Sequence, residues 1–225
     1  MKKVLYYYAY LEGNYRYIVQ DQLSKILLSG LYSDCDEVQL RVASPEPGRV
    51  QWLLNIVKDY PKFKAKVIEL DRSIYPPEFH EMKIALQHLA QQAREEEGYY
   101  GWVHAKGVTN GGYHTDQWRM SMDHATIWEY KKSWDMLNIG YGAVGPNLRH
   151  DTFLGVYPHY SGCYFWASSK HIKTLKEEYL TDLHNKYSGE FWIGSNNHEG
   201  MGSTFECGHE APYAIESTIN QYIKI

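Results

Sequence analysis

The sequence predicts an α/β domain in which a mostly parallel central sheet is covered by helices. The chain has 225 residues, a length typical of one domain. Its first half alternates short apolar segments with amphipathic ones, and this alternation is typical of parallel strands joined by right-handed helical crossovers. No repeat, linker or low-complexity tract interrupts the sequence. We therefore expect a single domain over residues 1–225.

Four strands and three helices are predicted in the first half from the spacing of apolar residues. Alternating or continuous apolar residues predict strands at 3–8, 37–43, 65–70 and 99–104. Apolar residues three or four positions apart predict helices at 14–29 and 49–60. A third helix begins at 76–78, where proline is tolerated in the first turn. Its apolar face consists of Met82, Leu86, Leu89, Ala90 and Ala93.

The second half has a less regular pattern. A long helix is predicted over 115–137, and strands are predicted at 140–145, 153–156 and 162–167. Ser168 is a suitable N-cap for a helix over 168–179. Residues 188–201 have the composition of a loop, and a last helix is predicted over 211–222.

Composition excludes several classes of protein. The net charge of -4 argues against a nucleic-acid partner, because binding to phosphates requires a basic surface. The three cysteines lie far apart without a metal-binding spacing, which indicates reduced thiols in a cytoplasmic compartment. No apolar run approaches the roughly 18 residues of a membrane-spanning helix. The high content of tyrosine and tryptophan slightly favours a ligand with stacking faces, although aromatic rings also fill cores.

The most informative segment follows the fourth predicted strand. His104 and Lys106 are two positions apart and therefore lie on one side of an extended chain, and Gly107 permits a sharp turn. Ligands of open α/β sheets bind beyond the carboxyl ends of the strands. A lysine beside accessible backbone N–H groups suits a diphosphate. The spacing alone leaves a second interpretation open, in which Lys106 is an exposed residue at an ordinary strand exit.

Three motifs in order along the chain suggest a family. They are His104-Ala105-Lys106-Gly107-Val108-Thr109, then Asp116-Gln117-Trp118-Arg119, then His159-Tyr160-Ser161-Gly162-Cys163-Tyr164-Phe165-Trp166. The chain resembles small bacterial and viral glycosyltransferases of the GT-A type, and most of all the chlorella-virus capsid glycosyltransferases. That family has HxKG, D-W-R and H-x-S-G-N-F-W-W motifs. This sequence departs from them at Gln117, at Cys163 in place of asparagine, and at Tyr164.

The resemblance implies a GT-A fold with a Rossmann-like, mixed and mostly parallel sheet. Residues 1–112 would form the nucleotide-binding half, and residues 113–225 the sugar- and acceptor-binding half. The implied donor is a nucleotide-diphosphate sugar, most often UDP-linked, and the implied cofactor is Mn2+ or Mg2+. A glycan or a glycoprotein would be the acceptor. The expected location is the cytoplasm of a bacterium or of a virus-infected host cell.

On this interpretation the donor site draws on the exits of three strands and on a late histidine. Tyr8 and Tyr10 would stack on the base, and Asp71 would accept a hydrogen bond from uracil. Lys106 and Gly107 would contact the diphosphate. The metal ligands would be His104 and, by resemblance, His209. A histidine bonded to backbone at a strand end remains an equal alternative for His104.

The sugar and acceptor side is expected in the second half. Glu190 would be the base that an inverting transfer requires, with Asp116, Asp123 and Asp151 as weaker candidates. The remaining residues expected to contact the sugar or acceptor are Asp116, Arg119, His159, Ser161, Gly162, Trp166 and Trp192. Arg119 has an ion pair with a carboxylate as its alternative role. Two other functions stay open: a catalytically inactive carbohydrate-binding module of the same fold, and a histidine-rich metal hydrolase, which lacks a supporting HExxH motif.

Overall fold

A seven-stranded sheet runs through the molecule. The structure is a computed structural model that describes residues 1–71, 77–109, 111–149, 158–182, 185, 187–196 and 200–205. The seven strands are β1 (Lys2–Tyr10), β2 (Glu37–Ala43), β3 (Phe63–Val67), β4 (Gly98–His104), β5 (Ala143–Pro146), β8 (Phe165–Ser168) and β9 (Met201–Phe205). Two further strands, β6 (Leu148–Arg149) and β7 (His159–Tyr160), pair only with each other in the part described.

The strand order is β3-β2-β1-β4-β8-β5-β9, and one strand runs against the others. Strand β1 pairs in parallel with β2 and β4, and β2 pairs in parallel with β3. Strand β8 is antiparallel to both β4 and β5, while β5 and β9 are parallel. The first four strands thus have the 3-2-1-4 order of nucleotide-binding Rossmann halves. The predicted mixed, mostly parallel sheet with flanking helices is confirmed.

The described helices surround this sheet on both faces. They are α1 (Tyr15–Leu28), α2 (Leu31–Asp34), α3 (Pro47–Val57), α4 (Pro77–Glu95), α5 (Tyr113–Asp123), α6 (Tyr130–Asn138), α7 (Ser169–Ile172), α8 (Glu178–Thr181) and α9 (Ser188–Phe191). A π-helical segment (His124–Trp128) connects α5 to α6, and a short 3-10 turn (Trp192–Gly194) follows α9. Among the described residues, no helix combines the length and the apolar character that crossing a membrane requires.

Tyrosine hydroxyls attach the sheet to the helices on both of its faces. Tyr6 donates to the backbone oxygen of His88 on α4, and Tyr100 donates to the backbone oxygen of Glu96 just beyond that helix. Tyr7 points to the opposite face and donates to Gln22 on α1. A tyrosine can fill a core only when its hydroxyl finds such a partner. Much of the aromatic content noted in the sequence therefore belongs to the core.

The second half differs from its prediction in four segments. The segment 188–201, predicted as a loop, contains α9 and the 3-10 turn. The helix predicted over 115–137 is interrupted by the π-helical segment, where the backbone oxygen of Thr126 accepts a hydrogen bond from the Trp166 indole. The helix predicted over 168–179 is split into α7 and α8, because the Lys176 N–H donates to the Ser195 hydroxyl, outside the helix. Ser168 caps α7 as predicted. The strand predicted from 162 begins only at β8, and the predicted segments 153–156 and 211–222 lie outside the described residues.

Candidate functional site

The loops that follow β1 and β4 meet at the carboxyl edge of the sheet. The Asn14 N–H donates to the backbone oxygen of Val108 over 3.1 Å. Gly13 has a φ of +54°, and a Cβ at this position would lie 2.0 Å from the same oxygen. The close approach of the two loops therefore requires glycine. It brings the His104–Lys106 segment to the edge where ligands of such sheets bind.

His104 ends β4 and is held by the turn before β8. Its Nε2 lies 2.9 Å from the backbone oxygen of Gly162. A carbonyl oxygen only accepts hydrogen bonds, so Nε2 carries the proton and Nδ1 has a lone pair. Burial, together with the charge of Lys106, lowers the pKa of His104 to about 3. The ring is therefore neutral near pH 7, and Nδ1 keeps its lone pair.

Glu190, on α9, holds the other side of the same glycine. Its Oε1 accepts the Gly162 N–H over 2.8 Å. Gly162 has a φ of +88°, and a Cβ at this position would lie 2.2 Å from the Met122 sulfur and 3.2 Å from the Trp118 ring. The peptide groups of Gly162 thus link a neutral imidazole to a carboxylate, and the glycine leaves no room for a side chain between them.

Lys106 is the cation of the site. Its Nζ lies 3.9 Å from the centre of the Trp118 ring, a cation–π distance. Burial lowers the pKa of Lys106, while the nearby Glu190 acts in the opposite direction. Within the described part of the chain, no carboxylate lies within ion-pairing distance of this amine. The next residue, Gly107, has a φ of +91°, and a Cβ there would lie 2.9 Å from the Thr115 methyl group.

Arg119 belongs to a buried charge network beneath the site. Its guanidinium is 1% exposed and donates to Asp21 over 2.7 Å and to Asp116 over 3.3 Å. Asp123, which is fully buried, lies 3.5 Å from Arg119 and 2.8 Å from the Lys25 amine. The alternative expected for Arg119, pairing with carboxylates, is the one observed. Asp116 is engaged in the same network and is half-buried at the start of α5.

Four aromatic side chains expected to stack on ligand occupy the core instead. Trp166 and Trp192 are both 0% exposed. Trp166 packs edge-on against Trp134 and donates its indole N–H to Thr126. Tyr8 and Tyr10 are 3% and 4% exposed. A ring with both faces covered cannot stack on a base or sugar, so these four expectations are corrected to packing roles.

The other predicted residues are placed around this centre or outside the described part. His159, on β7, packs edge-on against Phe191 with ring centres 4.8 Å apart, directly beside Glu190 in the chain. The Ser161 N–H donates to the Asn147 backbone oxygen. Asp71 is exposed beyond β3, and its N–H donates to the Glu81 carboxylate. Asp151 and His209 lie outside the described residues.

Three features near the site were not predicted from the sequence. Trp118 and Met122 enclose Gly162, and their spacing of four residues on one helix was the available signal. Cys163 follows with a φ of +59°, a conformation that favours asparagine, which is the residue of the resembled family at this position. Tyr15 packs edge-on against Trp52, and two arginines, Arg16 and Arg49, lie over the tyrosine ring.

The described residues provide few side chains that could ligate a metal ion. No group of three histidine, cysteine, aspartate or glutamate side chains is arranged to hold one within the described ranges. The Nδ1 of His104 is a single suitable ligand, and its protonated Nε2 is fixed by Gly162 as metal-bound imidazoles commonly are. A metal here would therefore take most of its ligands from a bound molecule and from water.

Comparisons with known proteins give no assignment. No family model matches the chain, and no curated protein sequence matches it. A 4-diphosphocytidyl-2C-methyl-D-erythritol synthase from Anaerococcus prevotii is 12% identical, with a TM-score of 0.47 over 91% of this chain and 87% of that one. The protein Rv0371c from Mycobacterium tuberculosis is 10% identical, with a TM-score of 0.44 over 92% of this chain and 90% of that one. Neither likeness is close enough to assign an activity.

Proposed function

We propose that the chain is a glycosyltransferase that moves a sugar from a nucleotide-diphosphate donor, most suitably a UDP-sugar, to a glycan or a protein-borne acceptor. The observation that carries the proposal is that His104 and Glu190 both bond to Gly162 at the carboxyl edge of the sheet, while the Lys106 amine lies on the Trp118 ring that borders the same glycine. A cation for the leaving diphosphate and a carboxylate for the acceptor are the two charges that such a transfer needs. The ordered HxKG, D-x-W-R and HxSG motifs support the same activity.

Lys106 would receive the diphosphate. Its amine lies against the Trp118 ring, and no carboxylate of the described chain lies within ion-pairing distance of it. The charge of Lys106 is therefore not neutralised by an internal salt bridge. Attraction between a partly desolvated cation and an anion is stronger than it is in water. As the bond between the sugar and the diphosphate breaks, Lys106 would neutralise the charge that develops on the leaving group.

Glu190 would act as the general base of an inverting transfer. One of its oxygens is held by the Gly162 N–H, which orients the carboxylate and leaves the second oxygen for an acceptor hydroxyl. The hydroxyl oxygen forms the new bond to the anomeric carbon on the face opposite the diphosphate. The Glu190 carboxylate takes the hydroxyl proton, and the bonding electrons of the broken bond leave with the nucleotide diphosphate.

Mn2+ or Mg2+ is proposed as a cofactor that the donor brings with it. The ion would supply additional charge stabilisation to the diphosphate, and His104 Nδ1 would be its ligand from the described chain. The chain's own part in catalysis is to keep the His104 ring neutral and oriented.

A thermal-shift panel tests donor binding. The full chain is heated with UDP-, GDP-, CMP- and dTDP-sugars, each with and without Mn2+. We expect the UDP-sugars to raise the melting temperature, with a stabilisation of about 2.7 kcal/mol at 100 times the dissociation constant. Replacing Lys106 by methionine should abolish this shift, whereas Lys170→Met at an exposed position should preserve it. The absence of a shift with every nucleotide would contradict the proposal.

Glu190→Gln tests the catalytic role separately from binding. The amide can still accept the Gly162 N–H but cannot take a proton, so donor binding should persist while transfer and slow donor hydrolysis fall by 10² to 10⁴ fold. Glu178→Gln on exposed α8 is the matched control and should retain full activity. If Glu190→Gln is as active as wild type, Glu190 is not the base. Binding of free glycans without any response to nucleotides would instead support the inactive carbohydrate-binding module.

A further inference from the structure

A polar cleft lies away from the candidate site, on the sheet face that α4 covers only in part. It has a volume of about 430 Å³ and runs between α4 and strands β2 and β3. One end is lined by Lys2, Glu37 and Glu96, and Lys2 forms an ion pair with each of the two carboxylates. The other end is lined by Arg41, Lys66 and His88. None of the residues assigned to the glycosyltransferase site lines this cleft.

Arg41 is a buried cation without an anionic partner. It is 7% exposed, and its guanidinium packs over the Tyr6 ring. Its Nη1 donates to neutral oxygens of Gln39 and Leu40, and its Nε donates to His88 Nδ1 over 3.2 Å. No carboxylate lies within ion-pairing distance of it in the described chain. Buried charges are normally paired, because removing an ion from water is costly.

His88 is placed between two cations that can only donate. Its Nδ1 faces Arg41, and its Nε2 lies 3.2 Å from the Lys66 amine. A neutral imidazole carries one N–H, so it can accept from Arg41 or from Lys66 but not from both. The protonated ring nitrogen of His88 therefore faces a second hydrogen-bond donor, from either Arg41 or Lys66. An oxyanion between these groups would accept from all three and remove the conflict.

We propose that this end of the cleft is an oxyanion-binding site for the phosphate group of a small soluble molecule, with Arg41, Lys66 and His88 as its donors. Charge-assisted hydrogen bonds from a guanidinium and an ammonium are the strongest that proteins offer to phosphate. The cleft volume falls within the range of small-molecule pockets, which leaves room for more than the phosphate itself. The two sites are distinct in that the cleft lining contains neither His104, Lys106 nor Glu190.

Binding is measured on the full chain by isothermal titration calorimetry with two probes, inorganic phosphate and glucose 6-phosphate. We expect saturable binding of one stoichiometric ligand, weakened about tenfold or more in both Arg41→Gln and Lys66→Gln. Lys64→Gln is the matched control, since Lys64 lies two residues earlier on the same strand and does not line the cleft. If glucose 6-phosphate binds more tightly than inorganic phosphate, the ligand is a phosphate ester of a larger molecule. If the two probes bind equally, the ligand is free phosphate. Either outcome supports the site.

A second readout follows the His88 ring by NMR, with His88→Gln identifying its resonances. Burial lowers the pKa of His88 to about 4, and the charges that face the ring, Lys66 from β3 and Arg41 from β2, act in the same direction. The paired Lys2, Glu37 and Glu96 line the far end of the cleft. Phosphate should raise that pKa by about one unit, because an anion offsets both cations.

Two results would overturn the proposal. One is the absence of saturable binding by either probe, or binding that both Arg41→Gln and Lys66→Gln retain at wild-type strength. The other is binding that Lys106→Met abolishes and UDP displaces, which would place the phosphate at the candidate donor site. Lys66 is exposed, so its substitution remains informative even if Arg41→Gln fails to fold. This site does not depend on the proposed transferase activity, and either can fail alone.

Discussion

Gly162 connects more of the candidate site than any single side chain does. Its carbonyl fixes the tautomer of His104, and its N–H orients the Glu190 carboxylate. Its φ of +88° and the Met122 sulfur at 2.2 Å from a would-be Cβ both exclude a side chain. The requirement for glycine at this position thus has two independent physical causes, one in the backbone and one in the packing.

Gly162→Ala should therefore damage both stability and binding. Strain at positive φ and the collision with Met122 should lower the free energy of unfolding by about 1–3 kcal/mol. The donor-induced thermal shift should shrink as well, since His104 and Glu190 lose their common anchor. Urea unfolding measures the first effect. Gly48→Ala is the control, since a Cβ at Gly48 meets nothing within 4 Å, and it should be neutral or stabilising; equal stability of the two variants would contradict the assignment.

Sequence motifs and side-chain type differ in what they predict about individual residues. The bond between His104 and the Gly162 backbone joins two of the motifs in space, while the roles expected for His104 and Lys106 remain predictions. Expectations based only on aromatic character failed for Trp166 and Trp192, because a large ring is equally suited to a core and sequence does not report which face is covered. Pairing of Arg119 with its neighbours could be predicted only as an alternative, since its partner Asp21 is 98 residues away.

Gln22 is the point where helix α1 is joined to the elements beneath the site. Its amide oxygen accepts from Tyr7 on β1, while its Nε2 lies 2.8 Å from both Asp123 and the Tyr164 hydroxyl. Tyr164 in turn donates to the backbone oxygen of His104. The side chain is fully buried, so every group it serves would be unsatisfied without it.

Gln22→Leu should lower the free energy of unfolding by about 2–4 kcal/mol, because the buried polar groups that contact Gln22 lose a partner. Chemical denaturation followed by circular dichroism measures the change. Gln20→Leu on the same helix is the control, since Gln20 is exposed, and its effect should stay within about 0.5 kcal/mol. A loss of less than about 1 kcal/mol for Gln22→Leu would show that the network does not hold α1 in place.

The long helices of the second half show why elements there were mispredicted. Apolar periodicity continues through residues 115–137, but the backbone widens into a π-helical segment at His124–Trp128. Periodicity reports which face is buried and does not report a local change of hydrogen bonding that a distant partner such as Trp166 stabilises. The four parallel strands of the first half were predictable because each repeats a local pattern of strand and crossover helix.

At the scale of the whole molecule, buried histidines couple stability to pH. Burial lowers the pKa of His104 to about 3 and that of His88 to about 4, and it also lowers the pKa of His171. Unfolded histidine titrates near 6.5. Below that pH the unfolded chain binds protons that the folded chain excludes, so the stabilisation is complete above about pH 6.5 and is lost progressively as the pH falls toward 4.

The urea concentration at the unfolding midpoint should consequently decrease when the pH is lowered from 7.5 to 5. The slope is at most about 1.4 kcal/mol per pH unit for each histidine. The carboxylates of Asp21 and Glu37, whose pKa values are lowered, add their own loss only at more acidic pH. Burial raises the pKa of Asp123, which acts in the opposite direction as the pH falls. His88→Gln should flatten the dependence, and identical midpoints at the two pH values in the wild type would contradict it.

The reversed strand β8 also sets the order in which a newly made chain can become functional. Translation proceeds from the amino terminus, and β1 to β4 can pair as soon as they leave the ribosome. Gly162 arrives 58 residues after His104, and Glu190 a further 28 residues later. Lys106 is therefore synthesised before both Gly162 and Glu190. On the proposed roles, a chain truncated in that interval would have the cation for the diphosphate and would lack the general base.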